Sequence, residues 1–412
     1  MQIIMHFSRI LRSACARIKK IDKSKIIAFF SISLIILVTS IVFFTEISGS
    51  LIGKHTNPTT TSPTSKAIPT ATETLNTASL IPKKTLTTAS PIPKKNLTTA
   101  FIASIDTMKE SRDTETRPLS SNEILNIVKI SASINTNYIT VDTHWDYPSY
   151  LQQWVDAIHA TGLHVWFRSQ PNQWENNNGA TGMMTPAQYE AVEHNFILAH
   201  ASLFQPGDIF DACPEPEQGH YWPEQYGQHW TWTAPNAASR DYNAFIRDTT
   251  DIANTSFQQK DINGVITNIR STNTFFASHP AVLEQATVKK LGRITIDSYP
   301  EQSTTDPITA ANARVDELKT IENIWHLPII IGEMGYSNEV EVDDTTQEKV
   351  LKAELQAIEP LSYVAGVNYW VGPGTNTSGG YTHIFAKSGQ GWLLRPAAND
   401  LSLFYQTKLS GL

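Results

Sequence analysis

Cysteine is nearly absent. Only Cys15 and Cys213 occur in 412 residues, so no disulfide framework braces the chain and any fold must stand on its core. Tryptophan is missing from the first 100 residues and all ten copies follow, so core material starts beyond that point. Positive charge is scarce in the same later part: residues 101–412 hold 19 Lys+Arg against 36 Asp+Glu, a balance of about −17. Such a domain is poorly suited to tracking a phosphate backbone, and no nucleic-acid partner is expected. With 41% hydrophobic residues there is still enough apolar material for a sizeable core.

The first 100 residues are built differently, with 13 Lys+Arg and 3 Asp+Glu. Residues 1–25 form a basic tail in which seven cations run from Arg9 to Lys25, and an uncharged apolar run follows at 26–44. As a helix those 19 positions reach about 28 Å, close to the ~30 Å hydrocarbon core of a bilayer. The expectation is a single transmembrane signal anchor at 26–44, with the N-terminus in the cytoplasm and the remainder extracellular. Cleavage near Ser48-Gly49-Ser50 would instead release a secreted protein. Residues 45–100 are rich in Thr, Pro and Ser, and an 11-residue unit starting at Ala78 repeats from Ala89. Too few large apolar groups remain there to offset ordering entropy, which predicts a disordered linker.

Beyond residue 100, short β-branched and aromatic runs alternate with segments of helical period. Strands are predicted at 101–105, 138–142, 164–168, 209–212, 265–269, 293–297, 328–332 and 364–369. Helices are predicted at 121–133, 150–160, 186–202, 239–253, 309–325, 347–358 and 399–405. Eight strand-helix units predict an α/β fold, a (β/α)8 TIM barrel spanning 101–412, with its site at the C-terminal strand ends. A doubly wound sheet binding a nucleotide would show a Gly-rich turn after its first strand, and residues 105–110 contain no glycine. A metal-dependent barrel hydrolase would show His-x-His on that strand; Asp142-Thr143-His144 has no companion ligands, so no metal or other cofactor is expected.

Polar residues collect at the strand ends, among them Asp106, Asp142, His144, Arg168, Asn268, Arg270, Asp297 and Tyr299. Two segments stand out: Asp211-Ala212-Cys213-Pro214-Glu215-Pro216-Glu217 after the fourth strand and Ile331-Gly332-Glu333-Met334-Gly335 closing the seventh. Strands four and seven face each other across a closed barrel, so carboxyls from both converge on one bond, as retaining glycoside cleavage requires.

These segments resemble the retaining (β/α)8 glycoside hydrolases of clan A, the superfamily of the family 5 cellulases and mannanases. There the acid/base Glu follows strand four, usually within Asn-Glu-Pro, and the nucleophile Glu ends strand seven within Ile-Gly-Glu-x-Gly. The resemblance implies Glu333 as nucleophile and Glu215 as acid/base, with Glu217 the neighbouring alternative; Pro214 stands where the family has Asn. It implies Trp370 as the platform beneath the sugar, Tyr299 as the aromatic beside the nucleophile and Arg168 as its cation. His144 is a candidate for a sugar hydroxyl. Trp174 and Trp222, with Trp230 and Trp232, lie in loops after strands three and four, where flat rings stack on sugars. The expected activity is hydrolysis of a β-linked polysaccharide or oligosaccharide by a monomer. The alternatives are a non-catalytic carbohydrate-binding barrel and a wall-glycan transglycosylase using the same carboxylates.

Overall fold

The computed structural model describes residues 101–175, 183–271, 275–300, 304–336, 343–374, 382–389 and 391–411. The anticipated membrane span at 26–44 and the linker at 45–100 lie outside them. Among the described residues no helix is long and apolar enough to cross a membrane.

Eight strands close into a barrel in chain order. They are β1 (Ile102–Asp106), β2 (Tyr138–Val141), β3 (His164–Phe167), β4 (Ile209–Pro214), β5 (Ile266–Ser271), β6 (Ile294–Asp297), β7 (Ile329–Met334) and β8 (Val364–Tyr369). Every neighbouring pair is parallel, and β1 meets β8 through four register pairs. The period of two along each strand sorts side chains between barrel interior and helix layer. On β1, Ile102, Ser104 and Asp106 share one face while Ala103 and Ile105 share the other.

The interior is layered from bottom to mouth. Ile102, Tyr138, Trp166, Ile209 and Ile330 form an apolar floor, joined by Ile266 and Ala365. Above it hydroxyls and amides bond to one another: Ser104 to Thr140 at 2.8 Å, Thr140 to Asn368 at 2.9 Å, Thr295 to Asn268 at 2.8 Å and Asn268 to Asp211 at 2.7 Å. Each of these buried polar groups has a partner, which avoids the ~1–3 kcal/mol cost of an unsatisfied one. The charged groups of the site make the top layer.

Outside the strands run α1 (Ser121–Ala132), α2 (Pro148–Ala160), α3 (Pro186–Ala199), α4 (Ala237–Gln259), α5 (Gln285–Leu291), α6 (Pro307–Trp325), α7 (Asp344–Ile358) and α8 (Pro396–Ser410). Their starts are set by side chains that accept the free amides of the first turn. Ser120, Thr185 and Asn236 close reciprocal boxes with Glu123, Gln188 and Ser239, while Asp306 and Asp343 accept from Thr309 and Thr346. The buried faces of the helices join the outward strand residues in the main core, which includes Leu151, Trp154, Tyr242, Phe245 and Leu318. Glu193, on α3, has no such provision: neither of its carboxyl oxygens meets a hydrogen-bond donor among the described residues.

The eight predicted strands and the barrel are present, with β4 and β7 each running two residues further toward the mouth than expected. Among the features not anticipated are a short helix and a hairpin. Helix α5 is seven residues long, too short for a clear helical period. An antiparallel hairpin joins β9 (Phe385–Ser388) to β10 (Gly391–Leu394), and four-residue strands give too few alternations to read.

Candidate active site

The ends of β4 and β7 depart from regular pairing. The β4–β5 register shifts between Asp211 and Cys213, and the β7–β8 register shifts between Ile331 and Met334. A bulge re-aims the side chains that follow it, and here Glu215 and Glu333 are those side chains. Glu215 also sits in the left-handed region at φ 46°, ψ 57°, a conformation costing roughly 1–2 kcal/mol per residue for a side chain with a Cβ. The kink turns the chain out of β4 directly into the short turn Pro216–Gln218, so Glu215 and Glu217 point to different surroundings.

Glu215 and Glu333 converge on Arg270 of β5. Arg270 Nη1 lies 3.7 Å from Glu215 Oε1 and 3.6 Å from Glu333 Oε1. Those two oxygens are therefore no farther apart than the two contacts laid end to end, about 7.3 Å, within the spacings at which paired carboxyls act on one glycosidic bond. The close approach depends on Gly332: a Cβ there would stand 2.6 Å from Arg270 Cδ and 2.8 Å from Cγ. The glycine of the Ile-Gly-Glu segment thus clears the path of the arginine crossing from β5.

Glu333 is 7% exposed. Arg168 binds it through Nη2 and holds Asp106 through Nη1 at 2.8 Å, while the Tyr299 hydroxyl donates to Glu333 Oε2 at 3.1 Å. Asn368 ties the set to the barrel wall by donating to Asp106 and to the Gly332 carbonyl. Burial raises the Glu333 carboxyl above its ordinary range, and Arg168 and Arg270 pull the other way. Burial also pushes Asp297 well up, against the pull of Arg270, to which it is bonded.

These groups open into a cavity of about 800 Å³ whose lining includes Glu215, Glu333, Arg168, His144 and Trp370. Trp370 is partly exposed and stands edge-on to Tyr299 at 6.4 Å, with Lys109 Nζ 5.7 Å from its ring centre. His144 is oriented by Glu115, whose carboxylate meets Nδ1 at 2.8 Å and accepts from the His144 amide at 3.1 Å. Glu175 also lines the space, accepting from Gln170 at 2.5 Å; burial and the charge of Glu215 raise its carboxyl. Among the described residues, no group of three or more His, Cys, Asp or Glu is arranged to hold a metal ion.

Three of the anticipated sugar contacts stand elsewhere. Trp174 is 1% exposed and stacks on Phe245 at 4.9 Å, and Trp222 is fully buried among Tyr242, Phe245 and Trp230. Both belong to a packed aromatic cluster, because rings of that size gain more from core burial than a loop position suggests. Trp222 acts on the site indirectly: its indole N–H donates to the Pro216 carbonyl at 2.7 Å, fixing the turn that carries Glu215. Glu217 is buried as well, taking hydrogen bonds from Tyr242 at 2.9 Å and Ser271 at 2.7 Å. Trp232 is 70% exposed and stacks on His229. Arg270, Arg112, Glu115 and Glu175 carried no assigned role in the sequence reading. Arg270 was legible only as one of many polar strand ends, and the other three had no signal beyond lying after β1 and β3.

No protein-family model and no curated protein matches the chain. Solved structures do. A GH5_18 protein from Streptomyces cattleya in complex with Manb1-4GlcNAc aligns over 75% of this chain and 80% of its own, at 11% identity and a TM-score of 0.55. A GH5_18 protein from Bifidobacterium longum subsp. longum, also in complex with Manb1-4GlcNAc, aligns over 76% and 79% at 13% identity and 0.55. A GH5-4 broad specificity endoglucanase from an uncultured bacterium aligns over 77% and 95% at 10% identity and 0.54. The likeness is one of fold: the described residues form a (β/α)8 barrel that aligns with the barrels of these structures.

Proposed function

We propose that the chain is a retaining glycoside hydrolase acting on β-linked polysaccharide or oligosaccharide. The observation that carries this reading is the convergence of Glu215 and Glu333, from opposite sides of the barrel, on one guanidinium beside a partly exposed tryptophan. Two carboxyls that meet on one bond at about 5–5.5 Å serve double displacement. Glu333 Oε attacks the anomeric carbon while the bond to the leaving oxygen breaks and that oxygen takes the Glu215 proton. Water then attacks the same carbon, gives its proton to Glu215 and releases the Glu333 ester with β configuration restored.

The surroundings support the two roles. Arg168 favours the Glu333 anion against its burial, and Tyr299 gives it a further donor. Trp370 supplies an apolar face for the sugar and His144, its other ring nitrogen held by Glu115, reaches for hydroxyls. Pro214 offers no side-chain donor where the related barrels place Asn. In the same proposal residues 26–44 anchor the enzyme in the cell membrane with the barrel outside.

The test is incubation with 2-deoxy-2-fluoro derivatives of β-mannosides and β-glucosides, followed by peptide mass spectrometry. A covalent adduct on Glu333 is the expected result and names the sugar class. Labelling of another residue, or sugar release that persists in Glu333→Ala, would sink the assignment.

A further inference from the structure

Arg270 makes or breaks no bond in the double displacement, yet its position is tightly constrained. It is 1% exposed, and its register partner on β4 is Pro214, the residue before Glu215. Nη1 bonds Asp297 and lies 3.7 Å from Glu215 and 3.6 Å from Glu333; Nε is 3.6 Å from Asp211 Oδ2. Gly332 provides the clearance that lets the side chain reach this point. So buried a charge is screened little by water.

A cation nearly equidistant from two carboxyls cannot by itself make them unequal. The asymmetry comes from Arg168, which grips Glu333 and Asp106. Equidistance has a different consequence. When Glu333 becomes an ester its negative charge disappears, while the charge on Arg270 stays. Among the described residues, three carboxyls act on Glu215: Glu175 from the loop after β3, Asp297 from β6 and Glu333 from β7. All three oppose its ionisation, and Arg270 favours it.

We infer that Arg270 is a positioning residue whose charge is shared by the two carboxylates and passes to Glu215 once Glu333 is esterified, keeping Glu215 the base that takes the proton from water. The inference rests on the retaining mechanism proposed above and assigns to β5 a function in its second step.

The experiment is carbon NMR of the full chain labelled at the glutamate carboxyl, in a Glu333→Gln background that imitates the uncharged ester. The Glu215 carbon is expected to titrate at least about one pH unit lower with arginine at 270 than in Arg270→Gln, with Arg270→Lys in between. Titration within about 0.3 unit in all three overturns the inference. If Arg270→Gln fails to fold because it strands Asp297, the pair Arg270→Gln and Asp297→Asn removes that carboxylate and the same carbon is read. A parallel arm follows 2-fluoro glycosyl adducts, whose hydrolysis slows more than their formation in Arg270→Lys. If no sugar labels the wild type, the retaining reading fails while the titration still reports on Arg270.

Discussion

Glu193 offers a sharp test of the packing. Its carboxyl is fully buried on α3 and neither oxygen finds a donor among the described residues. Burial, with Glu190 nearby, pushes it well above the usual carboxylate range, so the folded chain holds its proton to higher pH than the unfolded chain does. The unfolded chain ionises it near pH 4.3, at about 1.4 kcal/mol per pH unit above that point. The sign follows: this group's contribution to stability is whole below about pH 4.3 and is lost as pH rises toward the folded value. Glu193→Met keeps a long unbranched helix former of similar volume and removes both the unsatisfied oxygens and the titration. The first effect is worth about 1–3 kcal/mol at any pH. The second makes the advantage of the Glu193→Met variant grow as pH rises from 5 to 7, at a slope of up to about 1.4 kcal/mol per pH unit, since all other titrations cancel in the difference. Urea unfolding followed by tryptophan fluorescence measures both. An advantage that stays level across those two pH values would show that the folded state carries Glu193 ionised, and the reasoning would fail.

Three further outcomes follow from the site. Because burial raises Glu333 and attack needs its anion, the acid limb of kcat/KM lies above the roughly 4.3 of an ordinary glutamate, measured on the sugar that the trapping experiment identifies. Trp370→Ala removes the platform and raises KM about tenfold, for roughly 1–2 kcal/mol of lost stacking, whereas Trp222→Phe lowers the melting temperature and leaves KM in place; the reverse pattern would return Trp222 to the cleft. Gly332→Ala places a methyl 2.6 Å from Arg270 Cδ, so it costs about 1–3 kcal/mol of stability by overpacking and lowers kcat; unchanged kcat and melting temperature would show that Arg270 has room to move.

The barrel was legible because its strands carry period-two patterns that survive without context. Ile102, Ser104 and Asp106 already spell floor, middle layer and mouth. The place of Glu333 at the mouth was legible for the same reason, ending an aliphatic run. The different surroundings of Glu215 and Glu217 were not, because they turn on a left-handed kink at Glu215 that no side-chain pattern announces. Trp222 was misplaced because a loop aromatic packs inward or lies open according to partners such as Tyr242 and Phe245, which come from α4 and cannot be paired with it by spacing. Arg270 escaped for a related reason: its meaning comes from β4, β6 and β7 at once.

The seam between β5 and β6 is short, with only Arg270 to Thr295 and Ser271 to Ile296 in register. Above it the pair of Arg270 with Asp297 continues the join where the backbone ladder has stopped. The same guanidinium is therefore a rivet in the wall and a charge in the reaction space. Substitution at this position would therefore open the wall and remove the charge together, whereas loop residues around the mouth can change without loosening the seam.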